Sequence, residues 1–246
     1  MAEYGRQYQT PARGGAGVRV DGIDQGLRAF MLGVYNNMAM GLALTGIVAL
    51  GTYYMAVSNE AFYQAVYVSP LKWVIMLAPL AFVFGLSAAV HRMQPATARL
   101  VFLAFAAVMG LSLSSVFLVF TGESIARTFF ITAAAFGGLS LWGYTTKRDL
   151  TGWGSFLTMG VIGLLLAMVV NLFLQSSAMQ FAISAIGVLV FSGLTAYDTQ
   201  RLKHTYDIVA GDAVAAGRAS IIGALQLYLD FINLFMFLLQ FMGNRE

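Results

Sequence analysis

Apolar residues run almost unbroken through the chain, and the few charged positions mark where the runs stop. Nothing charged lies between Arg28 and Glu60, Lys72 and Arg92, Arg99 and Glu123, or Arg127 and Lys147. A membrane-spanning helix needs about 20 mostly apolar residues, so these gaps predict helices near 30–57, 73–90, 100–122 and 128–146. The second is short, and Pro79 is expected to kink it. From Leu150 to Tyr197 the chain is uncharged, which is too long for one span. The polar patch Gln175-Ser176-Ser177 is the natural turn between a fifth span, 153–174, and a sixth, 179–200. A seventh runs from 220 to 242. Transmembrane β-barrels read as ~10-residue alternating segments, not as continuous apolar runs. The predicted fold class is therefore an all-α integral membrane protein, a seven-helix transmembrane domain over 29–246. The polar, glycine-containing residues 1–28 are expected to form a disordered cytoplasmic tail.

Composition narrows the functions that remain. Of 246 residues, 59% are hydrophobic and 10% are charged, where an ordinary soluble domain carries about 25% charge. There is no cysteine, which excludes a disulfide scaffold and thiolate metal sites. A net charge of +3 is too thinly spread for a nucleic-acid footprint, so no nucleic acid is expected as partner. Eleven of the fourteen Lys and Arg residues fall on the N-terminal tail and the even-numbered loops. By the positive-inside rule these face the cytoplasm, and seven spans then put the C-terminus outside.

Two carboxylates stand where charge is costly. Asp198 lies near the cytoplasmic end of the sixth span and Asp230 well inside the seventh; on insertion scales each costs about 2.5 to 3.5 kcal/mol. In the seventh span Gln226, Asp230, Asn233 and Gln240 share one helical face, and in the sixth Ser192, Thr195, Asp198 and Thr199 gather toward one side. Two polar stripes of this kind can face each other across an interior that the other spans surround. If the carboxyls approach closely they share a proton and titrate as a unit. When both are deprotonated they suit a hard, oxygen-seeking cation such as Ca²⁺. Arg92, at the end of the second span, is a candidate counter-charge that closes a gate by pairing with Asp198. Asn171 and Ser112, Ser114 and Ser115 could extend the polar pathway. Such residues, like the glutamines, also serve simply as interhelical glue.

The run Gly223-Ala224-Leu225-Gln226-Leu227-Tyr228-Leu229-Asp230-Phe231-Ile232-Asn233-Leu234-Phe235, with Leu238-Leu239 and Gly243, resembles the C-terminal signature of the Bax inhibitor-1 family, which includes the bacterial YccA-like proteins. Gly143-Tyr144-Thr145-Thr146-Lys147-Arg148-Asp149-Leu150 and Tyr197-Asp198-Thr199-Gln200 with Lys203 resemble the same family at the corresponding places. The resemblance implies a seven-helix fold with the last helix central, in a bacterial inner (plasma) membrane. It also implies a pH-sensitive Ca²⁺ leak gated around an aspartate pair, which maps onto Asp198 and Asp230. Unlike some members, this chain has no acidic residue between Trp73 and Val90. The expected partners are the lipid bilayer, cations and protons, with no cofactor beyond a transient Ca²⁺ and no enzymatic activity. Two other readings remain: a membrane regulator of another membrane protein, such as a protease, and an intramembrane aspartyl protease. The second lacks the Gly-x-Gly-Asp context, since its aspartate follows Tyr228-Leu229.

Overall fold

The computed structural model describes the backbone of residues 16–89 and 92–244, and side chains within 25–85 and 92–244. Among the described residues eight α-helices follow in order: α1 (Ala16–Ser58), α2 (Glu60–Tyr63), α3 (Leu71–Ala89), α4 (Pro95–Leu113), α5 (Gly122–Thr145), α6 (Trp153–Leu174), α7 (Ser177–Val209) and α8 (Ala213–Met242). A π-helical turn, Gln64–Val68, links α2 to α3, and a 3₁₀ turn, Ser114–Leu118, extends α4. Among the described residues there is no strand. Six helices among the described residues are long and apolar enough to cross a membrane, and the bent pair Glu60–Val68 and Leu71–Gly85 makes a seventh crossing when counted as one. The protein is an all-α integral membrane protein.

Several boundaries differ from the sequence reading. Residues 16–28, expected as disordered tail, continue α1 without a break, and residues 1–15 lie outside the described residues. The inner end of this stretch is docked: Leu27 packs against the core and the Phe30 ring lies 5.3 Å from that of Tyr206 on α7, tilted by 40°. The second crossing bends by 58° between Val68 and Leu71, while α3 runs through Pro79 as one helix. Ser69 precedes Pro70 and is held extended (φ −66°, ψ 166°), as the clash of a proline ring with the preceding residue requires. The third connection falls at 119–121 and not around Glu123 to Arg127. Thr121 caps α5 by accepting from Ser124 N, which leaves Glu123 in the first turn, where the helix dipole favours an acid.

Burial identifies the central element. In its most apolar window α8 is 67% buried, against 11% for α6 and 28 to 33% for α1, α4, α5 and α7. Leu227, Tyr228, Leu234 and Leu239 on α8 have no exposed surface. By contrast α6 turns Phe156, Met159, Leu166, Leu172 and Phe173 outward, more than 60% exposed each. Such a surface is stable only against lipid. At 33 residues, α7 is about 50 Å long, so the end carrying Arg201, Lys203 and His204 stands beyond a hydrocarbon core of about 30 Å.

Candidate functional site

The antiparallel hairpin α7–α8, closed by the link 210–212, sets the site. Its register is fixed at three heights. Leu202 packs onto Gly223, where a Cβ would collide with it. Phe191 stacks on Phe237 at 5.6 Å, and Gln180 Nε2 donates to Gln240 Oε1 at 2.7 Å. Four residues back from Leu202 is Asp198, and four on from Gly223 is Leu227, so Asp198 is level with a point three residues short of Asp230. Helical side chains lean toward their own N-terminus. In an antiparallel pair that leans Asp198 up and Asp230 down, and the offset of just under one turn is closed.

The two carboxyl groups lie within hydrogen-bonding reach of each other. A bond between two carboxyls requires a proton on one of them, since an ionised carboxylate only accepts. Asp230 is 5% exposed and its Oδ2 is buried with no hydrogen-bond partner among the described residues. Asp198 is partly buried, and the cation whose charge reaches it is Arg201, one turn along α7. Among the described residues no group of three or more His, Cys, Asp or Glu side chains clusters here or elsewhere.

A third helix supports the pair from the side. Gly143 of α5 lies directly against the backbone of Ala196, two residues before Asp198, a separation that leaves no room for a Cβ. One turn earlier on α5, Ser140 Oγ lies 3.4 Å from Thr199 Oγ1, whose hydrogen is donated to Thr195 O at 2.8 Å. Close approach at a small residue is the usual way membrane helices gain contact. Here it seats α7 immediately beside the carboxyls.

The residues singled out from the sequence divide into those brought to the pair and those placed elsewhere. Thr195 is fully buried one turn from Asp198, with its hydroxyl on Phe191 O. Gln226 and Asn233 flank Asp230 on α8, half-buried, and Asn233 Nδ2 donates to Leu229 O at 2.8 Å. Asn171 is not near the pair. It closes the α6–α7 turn, accepting from Ser176 N and donating to Gln180, about 30 Å of helix away. Arg92 sits exposed on the turn before α4 and forms no ion pair among the described residues. Ser114 accepts from Tyr67 at 2.7 Å, Ser115 bonds Ser112 O, and both belong to the far end of α4. Sequence reasoning missed Ser140, because a lone serine in an apolar helix has an ordinary backbone-bonded explanation.

A family profile described as "Inhibitor of apoptosis-promoting Bax1" matches residues 27–246. An uncharacterised protein of Caulobacter vibrioides is 49% identical over the full length of both chains. An uncharacterised Rickettsia prowazekii protein, RP147, is 49% identical over 91% of this chain and 93% of its own. The inner membrane protein YbhL of Escherichia coli is 45% identical over 93% of this chain and 98% of its own.

Proposed function

Given that the chain belongs to the Bax inhibitor-1 family, we propose that it is a proton-regulated passive leak for cations, Ca²⁺ foremost, with Asp198 and Asp230 as its gate. The observation that carries this reading is the buried contact between the two carboxyls, with one oxygen of Asp230 left without a partner among the described residues. A buried polar atom without a partner costs about 1 to 3 kcal/mol, and purely structural glue would be expected to satisfy it.

The chemistry follows from the proton count. With one proton shared, the pair is a hydrogen bond that ties α7 to α8. With none, it is two like charges in contact, which repel and together offer oxygen ligands to a hard divalent cation. Arg201, not Arg92, is the basic group placed to moderate that charge. In this reading the protein resides in a bacterial inner membrane with the end bearing Lys147, Arg148 and Lys203 toward the cytoplasm, following the excess of Lys and Arg at that end.

Purified protein in liposomes with an internal Ca²⁺ dye should pass Ca²⁺ at a rate that changes with pH. The double variant Asp198→Asn plus Asp230→Asn should lose that response, and undiminished pH-dependent flux in it would sink the proposal. Rescue of a deletion phenotype by the same variant would favour a regulatory role instead.

A further inference from the structure

The sequence Gly143 to Leu150 does work that the carboxyl pair does not use. After α5 ends at Thr145 the chain crosses to Trp153 through a link hydrogen-bonded at Thr146 and from Arg148 to Thr151. Gln200 of α7 clamps it, with Nε2 donating to Arg148 O and Oε1 accepting from Leu150 N, each at 2.8 Å. Thr146 Oγ1 accepts from Arg148 N, and Asp149 Oδ1 accepts from Thr151 N. Leu150 is 3% exposed beneath. The link is therefore a rigid wall, and between it and α7 lies a polar cavity of about 350 Å³.

Cations dominate that cavity. Lys147 and Arg148 line it, exposed and without an ion pair among the described residues. Lys203 enters from α7, its Nζ donating to Tyr144 O at 2.6 Å and lying 5.0 Å from the Tyr144 ring centre. His204 completes that side, and the hydroxyls of Thr146 and Thr151 offer further donors. The one carboxylate, Asp149, is already engaged by Thr151, which with the nearby His204 holds it below the usual carboxylate range. Three cations against one anion leave the lining two charges in excess, with no second carboxylate among the described residues that line it.

The depth of the cavity decides what anion meets it. Trp142, one turn before the link, and Trp153, immediately after it, are 44% and 54% exposed on the outer surface. Tryptophan at a bundle surface marks the level of lipid headgroups. Below Trp153 the lipid-facing side of α6 continues through Phe156, which is 73% exposed, a wall along which acyl chains can lie. The geometry points to this cavity as a site for the phosphodiester headgroup of an anionic membrane phospholipid, held by Lys147, Arg148 and Lys203. Basic pockets at the ends of membrane helices are suited to such headgroups.

The test uses the full-length protein in zwitterionic nanodiscs or micelles, with phosphatidylglycerol titrated and bound lipids counted by native mass spectrometry. Phosphatidylglycerol should bind where phosphatidylcholine does not, and Lys147→Gln plus Arg148→Gln should weaken it about fivefold per charge removed. Because Gln200 grips the Arg148 carbonyl and not its side chain, that variant keeps the clamp. The single Lys147→Gln variant provides a milder check, and Lys72→Gln at the opposite end should leave binding unchanged. Equal retention of both lipids, or an unaltered affinity in the variants, would overturn the site. Competition by inorganic phosphate at the same concentration would identify a soluble-anion pocket and overturn the lipid assignment.

Discussion

The phenol of Tyr228 lies 2.7 Å from the hydroxyl of Thr45, two residues before Asp230 and at the centre of the bundle. Thr45 donates its own hydrogen to Ala106 O at 2.8 Å, so Tyr228 is the donor between them. The chain of two bonds ties α8 to α1 and α4. Phe102 and Phe105 meet the Tyr228 ring edge-on at 5.7 Å, and the ring has no exposed surface. Loss of either partner should therefore have unequal consequences. Tyr228→Phe removes a donor and leaves Thr45 bonded to Ala106, a loss of about 1 kcal/mol. Thr45→Val strands the buried phenol hydroxyl and should cost about 1 to 3 kcal/mol. Thermal unfolding in one detergent would rank the two, and equal shifts would refute the assigned donor.

Much of this architecture was legible because the signal is thermodynamically coarse. Charge is so costly in hydrocarbon that its gaps mark the bilayer, and the seven apolar runs follow. The same signal is blind to where helices end. Charged residues after Gln200 continue α7 to Val209, and those before Ser220 begin α8 at Ala213, because beyond the hydrocarbon a charged side chain sits comfortably on a helix. Asp198 and Asp230 were visible for the converse reason, as charges inside the apolar runs. Their contact was not, since it depends on a register set by Leu202 against Gly223 and Phe191 against Phe237, which periodicity within one helix cannot contain. Arg92 was chosen by its place at a helix end, whereas the cation near Asp198 turned out to be Arg201, one turn away on the same helix.

If the pair acts as one titrating unit, each aspartate is individually necessary for the pH response. Asparagine matches the shape and keeps a hydrogen bond across the contact, but it removes one of the two groups that share the proton. Asp198→Asn and Asp230→Asn should each flatten the pH dependence of Ca²⁺ flux, and the double variant should add little to either. Purely additive losses would indicate two independent sites.

Gly143 gives a test of the wall that seats α7. Its missing Cβ would fall against the carbonyl of Ala196, and backbone cannot swing aside as a flexible side chain can. Overpacking of this kind costs about 1 to 3 kcal/mol. Gly143→Ala should lower the melting temperature and displace α7 beside Asp198, altering flux as well. Gly137→Ala on the same helix meets nothing within 4 Å, and alanine favours a helix interior over glycine, so it should lower neither; a similar fall in the two variants would mean that lipid contact, not the α5–α7 approach, is responsible.

The start of the central helix should carry its own pH signature. Asp212 caps α8, its Oδ1 accepting from Val214 N at 2.8 Å and Ala215 N at 3.0 Å, and these donors hold its carboxyl below the ordinary value of 3.8. A carboxyl lowered in the folded state stabilises it fully at pH values above the unfolded value, and the contribution disappears as pH falls through the folded one. Asp212→Ala should therefore melt earlier than the parent at neutral pH, with the gap closing as the solution is taken well below pH 3.8. Asp212→Asn keeps an acceptor at the cap and should lie nearer the parent at neutral pH. Its oxygen does not titrate, so its own cap contribution should persist where the parent's fades. Melting curves for the three proteins from neutral to strongly acid pH would decide the matter, and a gap between Asp212→Ala and the parent that stays constant across that range would show that the cap is not what Asp212 contributes.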